Sequence, residues 1–204
     1  ALLASFTNNA GPIYTITIIG GIFLQNKMYG FLIWICIALS SLITGLILCK
    51  LCLNKEGKPI VNHYNTETNV DITKELKSLE KISLSNTALY VGAVIIFFAS
   101  VTSLLKQIPF FSDSVYVSLY SFLELTGGLK AMTAHITNTF PQLPSYLYCA
   151  IISATAAWSG ICIHLQVCGI LKASGISLRY YLIGKILSSF ISFFTTIILF
   201  AVII

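Results

Sequence analysis

Charge is what this chain has least of. Only 9% of its 204 residues are Asp, Glu, Lys or Arg, against roughly a quarter in soluble globular domains, and that scarcity excludes a water-soluble fold for the chain as a whole. A recognisable leader is also missing. The sequence opens Ala1-Leu2-Leu3 with no initiator Met, basic n-region or small-residue cleavage site, so no signal peptide is expected and a fragment of a longer protein is. Spacings that serve covalent chemistry are absent too: there is no nucleophile elbow, phosphate loop or metal-ligand pattern. The expectation is therefore no enzyme, no catalytic residue and no metal site or cofactor, with Na⁺ or H⁺ coupling the chemistry left open.

Six cysteines, at 36, 49, 52, 149, 162 and 168, lie mostly inside apolar runs, where cysteine behaves as a small hydrophobe. Cys49-Lys50-Leu51-Cys52 has the CxxC spacing but stands at a predicted helix end, with no second pair and no thioredoxin-like pattern around it. The formal net charge is +5, yet most lysines fall between Lys50 and Lys81. Membrane topology explains that clustering better than nucleic-acid binding does.

What is abundant is apolar sequence. The hydrophobic fraction is 56% and the mean hydropathy +0.88, the composition of an all-α polytopic membrane protein. About 20 apolar residues cross a ~30 Å hydrocarbon core. Residues 29–53, 86–105, 115–138 and 178–204 each meet that length, the third interrupted at Gly127-Gly128 and the last carrying Lys185 near its start. Two more apolar segments read differently. Residues 5–25 collect Ser5, Thr7, Asn8, Asn9, Gly11 and Pro12, and residues 145–173 are interrupted at Trp158-Ser159-Gly160. Each predicts a re-entrant helical hairpin, against the alternative of short tilted spans or one long kinked helix. Residues 54–85 form a hydrophilic loop, in which Ile72, Leu76 and Leu79 predict a short helix on the membrane surface or a plain linker helix.

Sliding the chain on itself by 149 residues places Gly11 over Gly160, Gly20 over Gly169, Ser40 over Ser189 and Thr15 over His164. The expected organisation is a first repeat in 1–53, a cytoplasmic loop in 54–85, and the remaining spans with the second repeat in 86–204. If the hairpins do not cross, three spans separate the long helix of one copy from that of the other. The repeats are then inverted, as in secondary transporters, with chance similarity of apolar segments as the competing explanation. Lysine placement puts the 54–85 loop, the end of the third span, Lys172 and Arg179 on the cytoplasmic side, opposite Lys27 and Lys106.

Glu124 is the leading candidate site, because a carboxylate at bilayer depth is costly and normally faces a protein interior or cavity. Gly127 and Gly128 are expected to unwind the helix beside it, exposing carbonyls and the Thr126 hydroxyl to an ion or a solute. Close helix packing is the alternative role for the glycines. His164 is a candidate proton carrier, or simply a packed, hydrogen-bonded residue. Asn8 and Asn9 offer amide donors and acceptors, or cap a helix.

Ser5-x-Thr7-Asn8-Asn9-Ala10-Gly11-Pro12, Leu123-Glu124-Leu125-Thr126-Gly127-Gly128-Leu129 and Trp158-Ser159-Gly160-x-x-x-His164-Leu165-Gln166-Val167 together resemble the YlbJ-type sporulation integral membrane proteins, which carry the nucleoside-recognition Gate domain. The resemblance covers what would be the C-terminal half of a member. It implies a mother-cell or forespore membrane protein of an endospore-forming bacterium, needed for the spore cortex, and adds Ser159 and Gln166 to the matching positions. The expected activity is ion- or proton-coupled passage of a small polar, nucleoside-like solute. Expected partners are the lipid bilayer, that solute, and the missing N-terminal half or a second copy, with no nucleic acid. A scaffold of the sporulation apparatus, or a channel, is the alternative.

Overall fold

Among the described residues, four stretches are long and apolar enough to cross a membrane: Lys27–Lys50, Ala88–Leu105, Ser145–Gly169 and Arg179–Ile203. The computed structural model describes residues 7–53, 72–107, 112–173 and 178–203, and no strand occurs among them. The helices are α1 (Tyr14–Phe23), α2 (Lys27–Leu53), α3 (Ile72–Leu105), α4 (Asp113–Leu123), α5 (Leu125–Thr139), α6 (Ser145–Trp158), α7 (Gly160–Ala173) and α8 (Arg179–Ile203). Of these α1 is wound as a π-helix, and the Leu24 N–H at its end donates to Ile19 O at 2.9 Å. A turn through Gln25 at φ 53° leads to α2, where Asn26 Oδ1 accepts from Met28 N at 3.0 Å and caps the helix.

The distribution of polarity identifies the solvent. Ser40, Thr44, Ser188, Ser192 and Thr196 are fully buried, while Leu46, Phe97, Phe190, Phe194 and Ile198 are exposed. Lipid tails are as apolar as leucine, so membrane helices associate through small and hydroxyl-bearing residues and leave large apolar ones outward. In α8 the outward side chains Leu182, Ile186, Phe190, Phe194, Ile198 and Val202 recur every four residues, one continuous apolar stripe.

Helices α2 and α8 run antiparallel. The Tyr29 and Phe200 rings meet at 5.4 Å near one end, and Ser40 Oγ lies 3.3 Å from Ser188 Oγ further along. Helix α6 is also antiparallel to α8, with Ser153 Oγ 2.7 Å from Ser192 Oγ and Ser189 Oγ donating to Ala154 O at 2.8 Å. Ile33, Ile37, Leu129, Ile152 and Phe200 pack between them.

Three sequence expectations change. Residues 115–138 are not a broken span: α4 and α5 fold back on one another at Glu124 as a helical hairpin. Ser114, at the start of α4, reaches His135, near the end of α5, at 3.0 Å, a closure that a continuous helix of 21 intervening steps, roughly 30 Å long, cannot make. Nor does the interruption fall at the glycine pair, which is helical. Conversely, α6 and α7, expected to be the two arms of a hairpin, do not pack along each other: α6 lies against α8, α2 and α5, and α7 against α3 and α4. The predicted surface helix is continuous with its span, since α3 runs unbroken from Ile72 to Leu105, longer than the ~30 Å core requires. The loop before it, residues 54–71, the arm expected ahead of Thr7, and the turn at 174–177 lie outside the described residues.

Candidate functional site

Glu124 is the single non-helical residue between α4 and α5, at φ −132° and ψ 129°. Its carboxylate oxygens accept from Thr126 N at 2.8 Å and Gly127 N at 2.6 Å. A helix N-terminus leaves its first N–H groups without intrahelical partners and carries partial positive charge, so a carboxylate there is held by charge-assisted bonds. The structure thus gives Glu124 a positioning task, closing the hairpin tip. Replacing it with Gln keeps an acceptor oxygen, so Glu124→Gln is expected to cost about 1 kcal/mol or less, and Glu124→Ala about 1–2 kcal/mol, read by thermal unfolding in detergent.

The glycine pair serves close packing instead of unwinding. A Cβ on Gly128 would stand 2.7 Å from Ser121 N and 2.8 Å from Tyr120 O, and one on Gly127 would strike the Tyr120 ring and come 2.8 Å from Glu124 Oε2. Ser121 Oγ donates to Gly128 O at 2.9 Å, tying the two helices beside the tip. Thr126 is exposed and its Oγ1 lies 3.5 Å from Tyr14 Oη, which links α5 to α1.

The second interruption is built from strained backbone. Ser159 ends α6 in the left-handed conformation at φ 73°, ψ −5°, which costs a non-glycine residue about 1–2 kcal/mol. Gly160 follows at φ 80°, and a Cβ there would meet Leu123 O and Leu125 N, both at 3.1 Å, so only glycine satisfies both the dihedral and the approach. The α6–α7 break therefore rests on the tip of the α4–α5 hairpin. Trp158 Nε1 donates to Phe122 O at 3.2 Å, and the two rings stack at 5.0 Å.

Lys185 stands at the junction, with 0% exposure. Its ammonium donates to Asn8 O, to Asn9 Oδ1 at 3.1 Å, to Ala157 O at 3.2 Å and to Ser159 Oγ at 3.1 Å. Asn8 and Asn9 precede α1 in non-helical chain, and Ala157 and Ser159 close α6. A lysine at the C-terminal end of a helix is favoured by the dipole of α6. The 149-residue shift of the sequence on itself places Asn8 over Ala157, and the amine reaches a main-chain carbonyl at each of those two positions. Asn9 Nδ2 also donates to Ser41 Oγ at 2.6 Å, bringing α2 into the cluster.

His164, one turn into α7, is 4% exposed. Its Nδ1 lies 2.9 Å from Tyr181 Oη, which accepts from Asn8 Nδ2 at 3.2 Å. The phenol oxygen accepts the amide N–H and still has its own proton and a lone pair to offer Nδ1. Nε2 has no hydrogen-bond partner among the described residues, and the imidazole meets the Trp158 ring edge-on at 4.4 Å. Gln166 stands apart from this cluster, its Nε2 3.6 Å from Cys162 Sγ.

Of the predicted positions, Asn8, Asn9, Ser159 and His164 thus gather around one centre, Glu124, Thr126, Gly127 and Gly128 form the adjoining hairpin tip, and Gln166 joins neither. Lys185 and Tyr181 were missed. The signal for Lys185 was present: a lone cation inside an apolar run carries the same cost that singled out Glu124. Beside the junction, an open cavity of ≈ 410 Å³ lies between α4, α5, α6 and α8, lined by residues that include Ser118, Phe122, Met132, Trp158, Ser189 and Phe190. Among the described residues no group of His, Cys, Asp or Glu side chains is placed to hold a metal ion. Comparison of the chain with family models, curated proteins and solved structures finds no match.

Proposed function

We propose that this chain forms a membrane transport domain that moves a small polar solute by alternating access, coupled to an ion or to protons. The observation that carries the reading is Lys185: a fully buried amine bonded to both the Asn8-Asn9 segment and the end of α6, where interrupted helices meet. Ionisable groups at membrane depth mark ion and substrate pathways, and discontinuous helices supply the free carbonyls and dipoles that such pathways use.

Inverted repeats fit the same reading. The order of break, short helix and long helix recurs, Asn8–Gly11 with α1 and α2, then Ser159 with α7 and α8. If the α4–α5 hairpin re-enters without crossing, then α2, α3 and α6–α7 still place three crossings between the start of α2 and the start of α8, and those helices do run antiparallel. One crossing is exchanged for another and the parity holds. Lys50, the start of α3 and Arg179 then share the cytoplasmic side. The end of the expected third span, with Lys130, does not join them, because α5 returns to the side on which α4 began. The spore-cortex setting and the nucleoside-like solute are proposed from the motif resemblance.

Reconstitution in vesicles tests the reading. Saturable uptake of a screened solute is expected, falling at least tenfold in Lys185→Met protein at equal membrane level. Non-saturating flux would indicate a channel instead. A Lys185→Met strain that still forms normal spores, together with no uptake of any solute by the wild type, would indicate a scaffold.

A further inference from the structure

The seat of the Lys185 amine has the chemistry of a monovalent-cation site. Its four oxygens are neutral: two main-chain carbonyls, Asn8 O and Ala157 O, one amide oxygen, Asn9 Oδ1, and one hydroxyl, Ser159 Oγ. Hard cations take oxygen ligands. Carbonyls freed at helix breaks coordinate Na⁺ in transporters, and rings of carbonyls replace the hydration shell of K⁺ in channels. An ammonium has three N–H bonds, and here it faces four acceptors, packed among them as an ion is rather than paired with each. Among the described residues no carboxylate is its partner. Glu124, the acid at the adjoining tip, is committed to Thr126 N and Gly127 N. The other titratable groups in the cluster, His164 and Tyr181, are bonded to each other.

We propose that this cradle is a monovalent-cation site whose ion is the tethered ammonium of Lys185, so that the chain supplies from its own sequence the positive charge that such a seat would otherwise draw from solution. Burial accounts for the need. Two carbonyls, an amide oxygen and a hydroxyl oxygen converging away from water need a donor or a cation between them, and the ammonium is both. The inference goes beyond the transport reading and stands without it, because the seat can be tested with no solute and no flux.

The experiment compares thermal unfolding of the purified full chain in choline, sodium, potassium and methylammonium chloride at equal ionic strength. Wild-type protein is expected to melt at the same temperature in all four. Lys185→Ala, which leaves the cradle open, is expected to melt well below wild type in choline and to recover roughly 5–10 °C with a saturating small cation. Which ion rescues best reports the size of the seat. Lys185→Met, which fills the space with an apolar chain, is expected to stay low in every salt. Adding Ser159→Ala to Lys185→Ala removes one oxygen and should raise the cation concentration needed for half rescue several-fold, whereas a general salt effect would leave it unchanged. Cytoplasm is rich in potassium, so the proposal also requires Lys185→Ala to accumulate folded in cells. Absence of folded protein, equal melting of Lys185→Ala in all four salts, or rescue indifferent to Ser159 would each overturn it.

Discussion

Gly128→Ala is expected to pry the α4–α5 hairpin apart, lowering stability by about 1–3 kcal/mol, roughly 2–12 °C in melting temperature for a chain of this size. The added methyl would lie 2.7 Å from Ser121 N and 2.8 Å from Tyr120 O. Both are backbone atoms of a helix, which cannot step aside as a flexible side chain can. Separation would also break the Ser121 Oγ bond to Gly128 O and unseat the tip on which Gly160 rests, so solute uptake should fall with stability. Gly92→Ala is the matching control, since nothing lies within 4 Å of a Cβ there. It is expected to be neutral or to stabilise α3 by up to about 1 kcal/mol, because alanine loses less backbone freedom in a helix than glycine does. Equal melting of the Gly128→Ala and wild-type proteins would show that the two helices are not held in backbone contact.

Lys185→Met should cost about 3 kcal/mol or more, or roughly 6–12 °C. Removing a buried charge can stabilise a protein when its partners are replaced with it. Here the partners remain. Asn8 O and Ala157 O are main-chain atoms that no substitution removes, and the methionine sulfur donates nothing to them. Ser159 Oγ already donates to Ala156 O at 3.3 Å, so it loses only the bond that it accepts from the amine. Melting of the purified variant in detergent checks the magnitude. A variant as stable as wild type would mean that the carbonyls find other donors.

Three membrane-capable helices were readable because hydropathy over about 20 residues is a local property: the expected spans 29–53 and 86–105 lie within α2 and α3, and 178–204 takes in α8, whereas Ser145–Gly169 was expected as a hairpin. The bend at Ser159-Gly160 was readable from Trp158-Ser159-Gly160, since serine and glycine interrupt an apolar run whatever surrounds them. Which of the two interrupted segments folds back on itself was not readable. Residues 115–138 and 145–173 have similar apolar character, and the difference lies in partners. Gly127 and Gly128 let α5 touch the backbone of α4, whereas Ser153, Ala154 and Ala157 commit α6 to α8. The glycine pair was read as a break when it is a packing surface, because the sequence gives the lost side chain and not the neighbour that fills its place. Lys185 was read only by its position near a span's start.

What the amino-acid sequence determined by itself is that this protein is a helical membrane protein with polar interruptions in apolar segments, since those features follow from residue types taken in order. Only the tertiary structure decided that Glu124 caps a hairpin and that Lys185, bonded to Ala157 and Ser159, reaches Asn8 and Asn9 across more than 170 residues of chain. A side chain's partner is fixed by which helix packs beside it, and that depends on every contact in the bundle at once.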